Sequence, residues 1–272
     1  MSYLGWSRWA PLALTVQLFS LSVTSTAAAE PTARGPAYKV HLELDLPIVL
    51  VAGAIASSFF FLPEARGVAC APNCDRSRIN GFDRAAAGLY DPTWSVVGDI
   101  ATAATLIGPL VVIVVDEGLA NGLRDDLVVA EAMLVTSALQ VSLSYAVARP
   151  RPRVYNDDAP LDERTDANAA RSFFSGHVAD TVATSVAALR TFQRLGKPAL
   201  GWAVFSVGLA GSGVVGVARV ASGAHFPSDV IAGAAIGTGI GILLPAIHES
   251  GVQILPFAQA DGGGLMVGAA LP

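Results

Sequence analysis

Of the four histidines in this 272-residue chain, two stand in surroundings suited to chemistry. His225 lies in ARVASGAHFPSD, six residues after Arg219 and four before Asp229. Residues four apart share one face of a helix, and Pro227 between them is tolerated if it sits in the first turn. A carboxylate accepting from one imidazole nitrogen would fix the tautomer and leave the other nitrogen free to attack. Arg219 would supply a cation for an anionic substrate. His177 ends a second cluster, SFFSGH (Ser172–His177), in which a serine hydroxyl and a glycine amide precede a histidine at a helix start. Helix N-termini present unpaired N–H groups and positive dipole to a phosphate; an ordinary helix cap uses the same residues. The third cluster is ARPRPRVYN (Ala148–Asn156), whose arginines alternate with prolines. It reads either as a membrane-interface anchor or as a stiff segment that grips an anion.

The elements that position these clusters are apolar. The chain is 53% hydrophobic and 14% charged, with a mean hydropathy of +0.53, against about 25% charge in soluble domains. That points to an integral membrane protein. A net charge of −5 without a basic stripe excludes a general nucleic-acid binder. Lysine occurs only at Lys39 and Lys197, so arginine carries the cationic work.

Six apolar segments are expected to form helices: Ile48–Leu62, Val97–Val115, Leu127–Ala148, His177–Leu195, Pro198–Val217 and Ser228–Ile247. The first, bounded by Pro47 and Pro63, is shorter than the ~20 residues of a membrane span and reads as a span or a re-entrant segment. A polar turn, DEGLANGLRDD, separates the second and third. Gly233, Gly237 and Gly241 repeat at the spacing that lets helices approach closely. Four stretches follow from this pattern: 1–29 as a signal peptide or N-terminal anchor, 30–96 as a polar segment, the first apolar segment and a Cys-containing loop, 97–248 as the membrane core, and 249–272 as a tail.

Arg190, Arg194 and Lys197, with no acid among them, mark the turn between the fourth and fifth segments as cytoplasmic. The opposite face then receives the end of the third segment, the start of the fourth, the end of the fifth and the start of the sixth. That parity brings Arg149–Arg153, Ser175–His177, Arg219, His225 and Asp229 to one face. It also places 30–46 in the cytoplasm, in conflict with a cleaved export signal before them.

Taken in order, Arg-Pro, Ser-Gly-His and then Arg-x5-His-x3-Asp resemble the type 2 phosphatidic acid phosphatase superfamily, over roughly residues 97–247. The resemblance implies an all-α, six-helix transmembrane bundle and a lipid phosphatase, and the charge parity sets its site at the outer, periplasmic face of a bacterial inner membrane. The resemblance also implies His225 as nucleophile, Asp229 as its orienting partner and His177 as general acid. Arg151, Ser175, Gly176 and Arg219 would hold the phosphoryl oxygens. The expected partners are a membrane lipid phosphate and the bilayer, with no nucleic acid; no cofactor or metal is implied, and no Cys/His/acid cluster stands at metal-ligand spacing. A phosphotransferase, or a member that binds lipid phosphates without hydrolysing them, are the alternatives.

The chain departs from the family pattern in three places. Ser144 stands where the first motif carries a lysine, leaving Arg149 or Arg153 to take over its charge. Phe174 replaces a proline and Ala218 a serine. The acidic run 157–168 reads as a solvated loop or as a selector of headgroups. Cys70 and Cys74 are either free or joined in a short disulfide. The acidic positions Asp83, Asp91 and Asp99 are given no role, and the tail is expected to turn near Asp261–Gly264 between short extended segments.

Overall fold

The computed structural model describes residues 35–58, 68–71, 74–250, 252–259 and 262–269, with side chains as far as Glu249. The expected signal or anchor at 1–29 and the end of the first apolar segment, 59–62, lie outside the described residues. The helices are α1 (Leu42–Ser57), α2 (Pro92–Glu117), α3 (Leu119–Val147), α4 (Leu161–Thr165), α5 (Gly176–Arg194), α6 (Pro198–Ala221) and α7 (Pro227–Ser250). Apart from the one-turn α4, each matches an expected apolar segment. Two antiparallel strands follow, β1 (Val252–Gln259) and β2 (Gly262–Ala269), with Gln259 opposite Gly262, so the tail pairs as extended segments.

Among the described residues, α2, α3, α6 and α7 are long and apolar enough to cross a membrane. Ile100, Ile107, Val111, Val207, Val217, Ile231 and Leu243 leave their outer faces apolar and exposed, as lipid requires. The chain is a multi-pass membrane protein. The less apolar α5 is surrounded by α2, α3, α6 and α7. Three of its buried hydroxyls are satisfied within the helix: Thr181 donates to the His177 carbonyl, Ser185 to that of Thr181 and Thr191 to that of Ala187. A helix that faces other helices needs no lipid-compatible surface.

Two boundaries differ from expectation. Helix α1 begins at Leu42, so Pro47 lies inside it. Pro47, in the second turn, denies the Glu43 carbonyl its i+4 amide, while Glu43 and Asp45 suit the dipole of the first turn. Its 16 residues reach about 24 Å at 1.5 Å per residue. The expected polar turn at 116–126 is almost wholly helical, the break being Gly118 at φ 78°. Asp125, which looked like a loop acid, is buried in α3 and accepts the amides of Ala37 and Tyr38.

Arg194 at the end of α5 donates to the Ala37 carbonyl, so the chain enters α1 from the end that carries the α5–α6 turn. After α1, Val68 packs on Val154 and Ala169 at the other end. Ala37, before α1, and Val68, after it, thus lie at opposite ends of the bundle. The cations of the α5–α6 turn find acids in space: Lys197 pairs with Asp116 and Glu117, and Arg190 and Arg194 with Glu249.

Helix α7 lies against α5 because its glycines let it. A Cβ on Gly233, Gly237 or Gly241 would stand 2.5, 2.2 or 2.7 Å from the carbonyl oxygens of Ser175, Ala179 and Ala183. These are backbone atoms of α5, which cannot swing aside. Gly239, on another face, has open space around it. Gly237→Ala is therefore expected to lower the thermal midpoint in detergent by the equivalent of about 1–3 kcal/mol, while Gly239→Ala leaves it unchanged or slightly raised. Equal effects of the two would contradict this packing.

Candidate active site

The loop from α6 to α7 sets the position of His225. Ser222 and Gly223 end α6: the Gly223 amide bonds the Val220 carbonyl, and the Ala224 and His225 amides both bond the carbonyl of Arg219. This is the glycine-capped helix terminus, and Gly223 takes the positive φ of 72° it requires. It ties the backbone amide of His225 directly to the carbonyl of Arg219. Pro227 then opens α7, and Asp229 reaches back to accept the Phe226 amide at 2.9 Å, the carboxylate half of a capping box.

Asp229 is completely buried and joins three segments. It accepts from the Ser172 hydroxyl at 2.5 Å and from Arg149 Nη1 at 2.5 Å. Arg149 also bonds the Ser228 hydroxyl and Asp83, at 2.9 and 2.8 Å, with its guanidinium 4.4 Å from the centre of the Phe226 ring. Asp83 in turn accepts the amide and hydroxyl of Ser228. Although burial opposes its ionisation, hydrogen bonds from Ser228, Asn80 and Arg149 hold the Asp83 carboxyl down at about 2.

The imidazole of His225 is oriented differently from expectation. Its Nδ1 lies 2.6 Å from the carbonyl oxygen of Ser172, and a carbonyl only accepts, so Nδ1 carries the proton and Nε2 the lone pair. Asp229 does not bond the ring. It holds the hydroxyl of the same Ser172 whose carbonyl does, and so positions His225 through one intervening residue. Burial, with help from Arg151, keeps the His225 imidazole well below its ordinary 6.5.

A cavity of about 340 Å³ opens at this end of the bundle, lined by Ser95, Asp99, Gln140, Val141, Ser144, Arg151, Arg153, Asn168, Arg171, Gly176, His177, Arg219 and His225. The parity expectation is met in space: the ends of α3 and α6 and the start of α5 converge here with the loop before α7. Of the residues expected in the site, His225, His177, Arg151, Gly176 and Arg219 line the cavity. Ser175 and Asp229 do not. Ser175 lies behind Gly176, fully buried, its amide bonded to the Asp229 carbonyl and its hydroxyl oxygen without a hydrogen-bond partner.

The three arginines of ARPRPR have separate tasks. Arg149 is the structural clamp just described and does not line the cavity, so it does not stand in for a lysine at Ser144. Arg151 is held by a bond from its amide to the Ala169 carbonyl and donates from Nη2 to Asn168 at 2.8 Å. Arg153 lines the cavity but donates to the main chain of Glu163. Ser144 itself is buried and turns its hydroxyl to the Val141 carbonyl. Arg171 lines the same cavity as Ser144, stacked 4.2 Å over the Tyr145 ring and bonded to the Tyr145 hydroxyl at 2.6 Å. The Nε atoms of Arg151, Arg171 and Arg219 are buried without hydrogen-bond partners, which leaves donors ready for an anion.

Sequence reasoning missed Asp99, Asp83, Arg171 and Ser172. Asp99 pairs with Arg219 and lies 3.7 Å from His177 Nε2. An acid inside an apolar segment is by itself a functional signal, and that signal was available. Gly98 lies close beside this pair, since a Cβ there would stand 3.2 Å from both Ala218 Cβ and Arg219 Nε. Arg171 and Ser172 were hidden because their partners lie far away in sequence. The acidic run 157–168 folds over this end rather than standing free: Arg164 pairs with Asp157, Asp166 accepts the Ala169 amide, and Asn168 reaches the cavity. Cys70 and Cys74 form a disulfide beside Val154 and Ala169.

Residues 127–251 match the sequence model of the PAP2 superfamily. This region, a little under half of the chain, is similar to the PAP2 superfamily. It holds every expected site residue, from Arg151 to Asp229, whereas Asp83 and Asp99 come from outside it. Among solved structures, the PAP2-type transmembrane phosphatidylglycerolphosphate phosphatase from Bacillus subtilis is similar at 21% identity and a TM-score of 0.43, over 75% of this chain and 96% of that one. No curated protein matches the sequence.

At the cavity, Asp229 and Ser172 act on His225 as one unit. Asp229→Asn and Ser172→Ala are each expected to lower kcat/KM by about 10–100-fold, since a buried hydrogen bond to a charged group is worth about 1.5–3 kcal/mol. The double variant should be little worse than either single one. Independent, additive losses would contradict the linkage.

Proposed function

We propose that the chain is a membrane phosphatase that hydrolyses a phosphate or diphosphate monoester of a lipid through a phosphohistidine on His225. The observation that carries this reading is the convergence of His225, His177 and the arginines 151, 171 and 219 on one cavity at the end of a membrane bundle. The PAP2 match over 127–251 supports the same reaction class.

In this scheme the neutral His225 attacks phosphorus through Nε2, while Nδ1–H stays on the Ser172 carbonyl. The P–N bond forms as the P–O bond to the lipid breaks, and His177 gives its proton to the departing oxygen. Arg151, Arg219, Arg171 and the Gly176 amide neutralise the equatorial oxygens. His177 then takes a proton from water, which attacks phosphorus and releases His225. Burial and Arg219 hold the His177 imidazole down at about 4 in the empty site, against the pull of Asp99; the negative charge of bound substrate adds to that pull and favours the protonated form. The cavity wall carries far more guanidinium than carboxylate, so it suits an anion and fills with fixed cations the place a metal takes in other phosphoryl transfers. The Ser175 hydroxyl joins the phosphate only if the turn before α5 shifts.

The site is assigned to the periplasmic side of a bacterial inner membrane. Arginine and lysine mark the opposite end at the α5–α6 turn, and a disulfide lies at the site's end, as suits an oxidising compartment.

The purified chain in detergent should release inorganic phosphate from at least one of phosphatidate, phosphatidylglycerophosphate, undecaprenyl diphosphate and lipid A. His225→Ala and His177→Ala should abolish release. Turnover insensitive to His225→Ala sinks the reading, and phosphate appearing on an added lipid or sugar acceptor instead would make the protein a phosphotransferase. Vanadate should inhibit, and EDTA should leave the initial rate unchanged.

The pH dependence follows from His225. Its neutral form is the reactive one and its folded pKa is depressed, so protonation of the nucleophile should cost kcat/KM only in solution well more acid than 6.5. An acid limb centred at or above 6.5 would contradict a buried, neutral nucleophile.

A further inference from the structure

At the other end of the bundle, three ligand-type side chains meet: Asp45 of α1, Glu131 of α3 and His248 of α7, their ligand atoms all within 4.8 Å of one another. They are remote from the cavity. Along α3, Glu131 precedes the cavity residue Val141 by about 15 Å, and along α7, His248 lies about 28 Å beyond Asp229, at 1.5 Å per residue. All three side chains are buried, exposed by 9%, 1% and 7%.

The proton positions are fixed by what surrounds the trio. His248 Nδ1 lies 2.9 Å from the Leu244 carbonyl and must donate to it. In the neutral ring this turns the Nε2 lone pair toward Asp45 Oδ1 at 3.5 Å and Glu131 Oε2 at 3.3 Å. The second Asp45 oxygen is occupied by the His41 amide at 2.7 Å. Glu131 Oε2 is buried and has no hydrogen-bond partner. Three electron-rich atoms thus face one point inside the protein, a costly arrangement unless something positive stands between them.

A single proton fits poorly. On Nε2 it could point at one oxygen only, and both distances exceed the usual 2.7–3.2 Å range of N–H···O bonds. A tetrahedral cation fits well. Ligands at ~2.0–2.1 Å from such an ion stand roughly 3.3–3.4 Å apart along the tetrahedron's edges, close to the 3.5 and 3.3 Å that separate His248 Nε2 from the Asp45 and Glu131 oxygens. One imidazole with two carboxylates suits a transition-metal dication more than magnesium or calcium. The Leu244 carbonyl on the far ring nitrogen is the support that metal-bound histidines ordinarily have.

We propose that Asp45, Glu131 and His248 form a binding site for a divalent transition-metal cation, with zinc the best match, that ties α1, α3 and α7 together at the end of the bundle opposite the cavity. Water completes the fourth position. The site stabilises the fold and takes no part in phosphoryl transfer, so it stands or falls apart from the phosphatase reading. The sequence hid it because the three residues are 86 and 117 positions apart.

The test is metal analysis of the full chain, purified in detergent without chelator or polyhistidine tag, followed by stripping with EDTA and titration with zinc chloride. The expected result is about one zinc per chain and a thermal midpoint that falls on stripping and recovers with zinc. Glu131→Gln and His248→Gln should each lose both the bound zinc and the response. A wild-type chain that neither retains nor responds to zinc overturns the proposal, as does equal binding in the Glu131→Gln chain. If the variants fail to fold, the wild-type metal content and response decide alone. A midpoint that follows pH but not zinc would assign the positive charge to a proton on His248 instead.

Discussion

Everything at the cavity end hangs on one buried carboxylate. Asp229 accepts from Arg149 at the end of α3, from Ser172 before α5 and from the Phe226 amide at the start of α7. An ionised group with no exposure survives inside a protein only when paired and hydrogen-bonded, and each of those partners arrives on a different segment. Loss of any one leaves the others with an unmet charge. The same bonds fix the Ser172 carbonyl against the imidazole of His225, so the demand of a buried charge is converted into the aim of a lone pair.

Around that centre the bundle separates two polar ends by an apolar middle. The cavity end gathers guanidinium groups with unfilled Nε donors, held apart by stacking and by single carboxylates or carbonyls. At the other end, Asp45, Glu131 and His248 converge with the opposite balance of charge. Helix α5 joins the two ends, and the glycines of α7 allow the close approach that keeps His177 and the α7 start in register.

Much of this was legible in the sequence. Apolar segments predicted the helices, because hydrophobic runs and proline breaks are local signals. Loop-charge parity brought Arg151, His177, Arg219 and His225 to one face without any coordinates. What escaped depends on contacts between distant residues. Asp229 and His225 are four apart and so were read as a direct pair, yet the capping geometry turns the carboxylate toward the Phe226 amide and Ser172 instead. Arg149 was grouped with its neighbours Arg151 and Arg153, but one side chain is spent on Asp83 and Asp229 while another faces the cavity. Arg171 carried no motif, and its place in the same cavity as Ser144 follows only from the pairing of 149–151 with 169–172. The helical turn at 119–126 was misread because polar residues there serve the chain entering α1, not solvent.

The central claim is that His225 becomes covalently phosphorylated, and direct trapping of that species tests it most closely. The full chain, mixed with a phosphorus-32-labelled lipid phosphate that it turns over and quenched in alkali within the first turnover, should carry label that is stable to base, lost in acid and located by peptide mapping at His225. Label at another residue, or steady turnover with no labelled protein at any time before the first product is released, would contradict it.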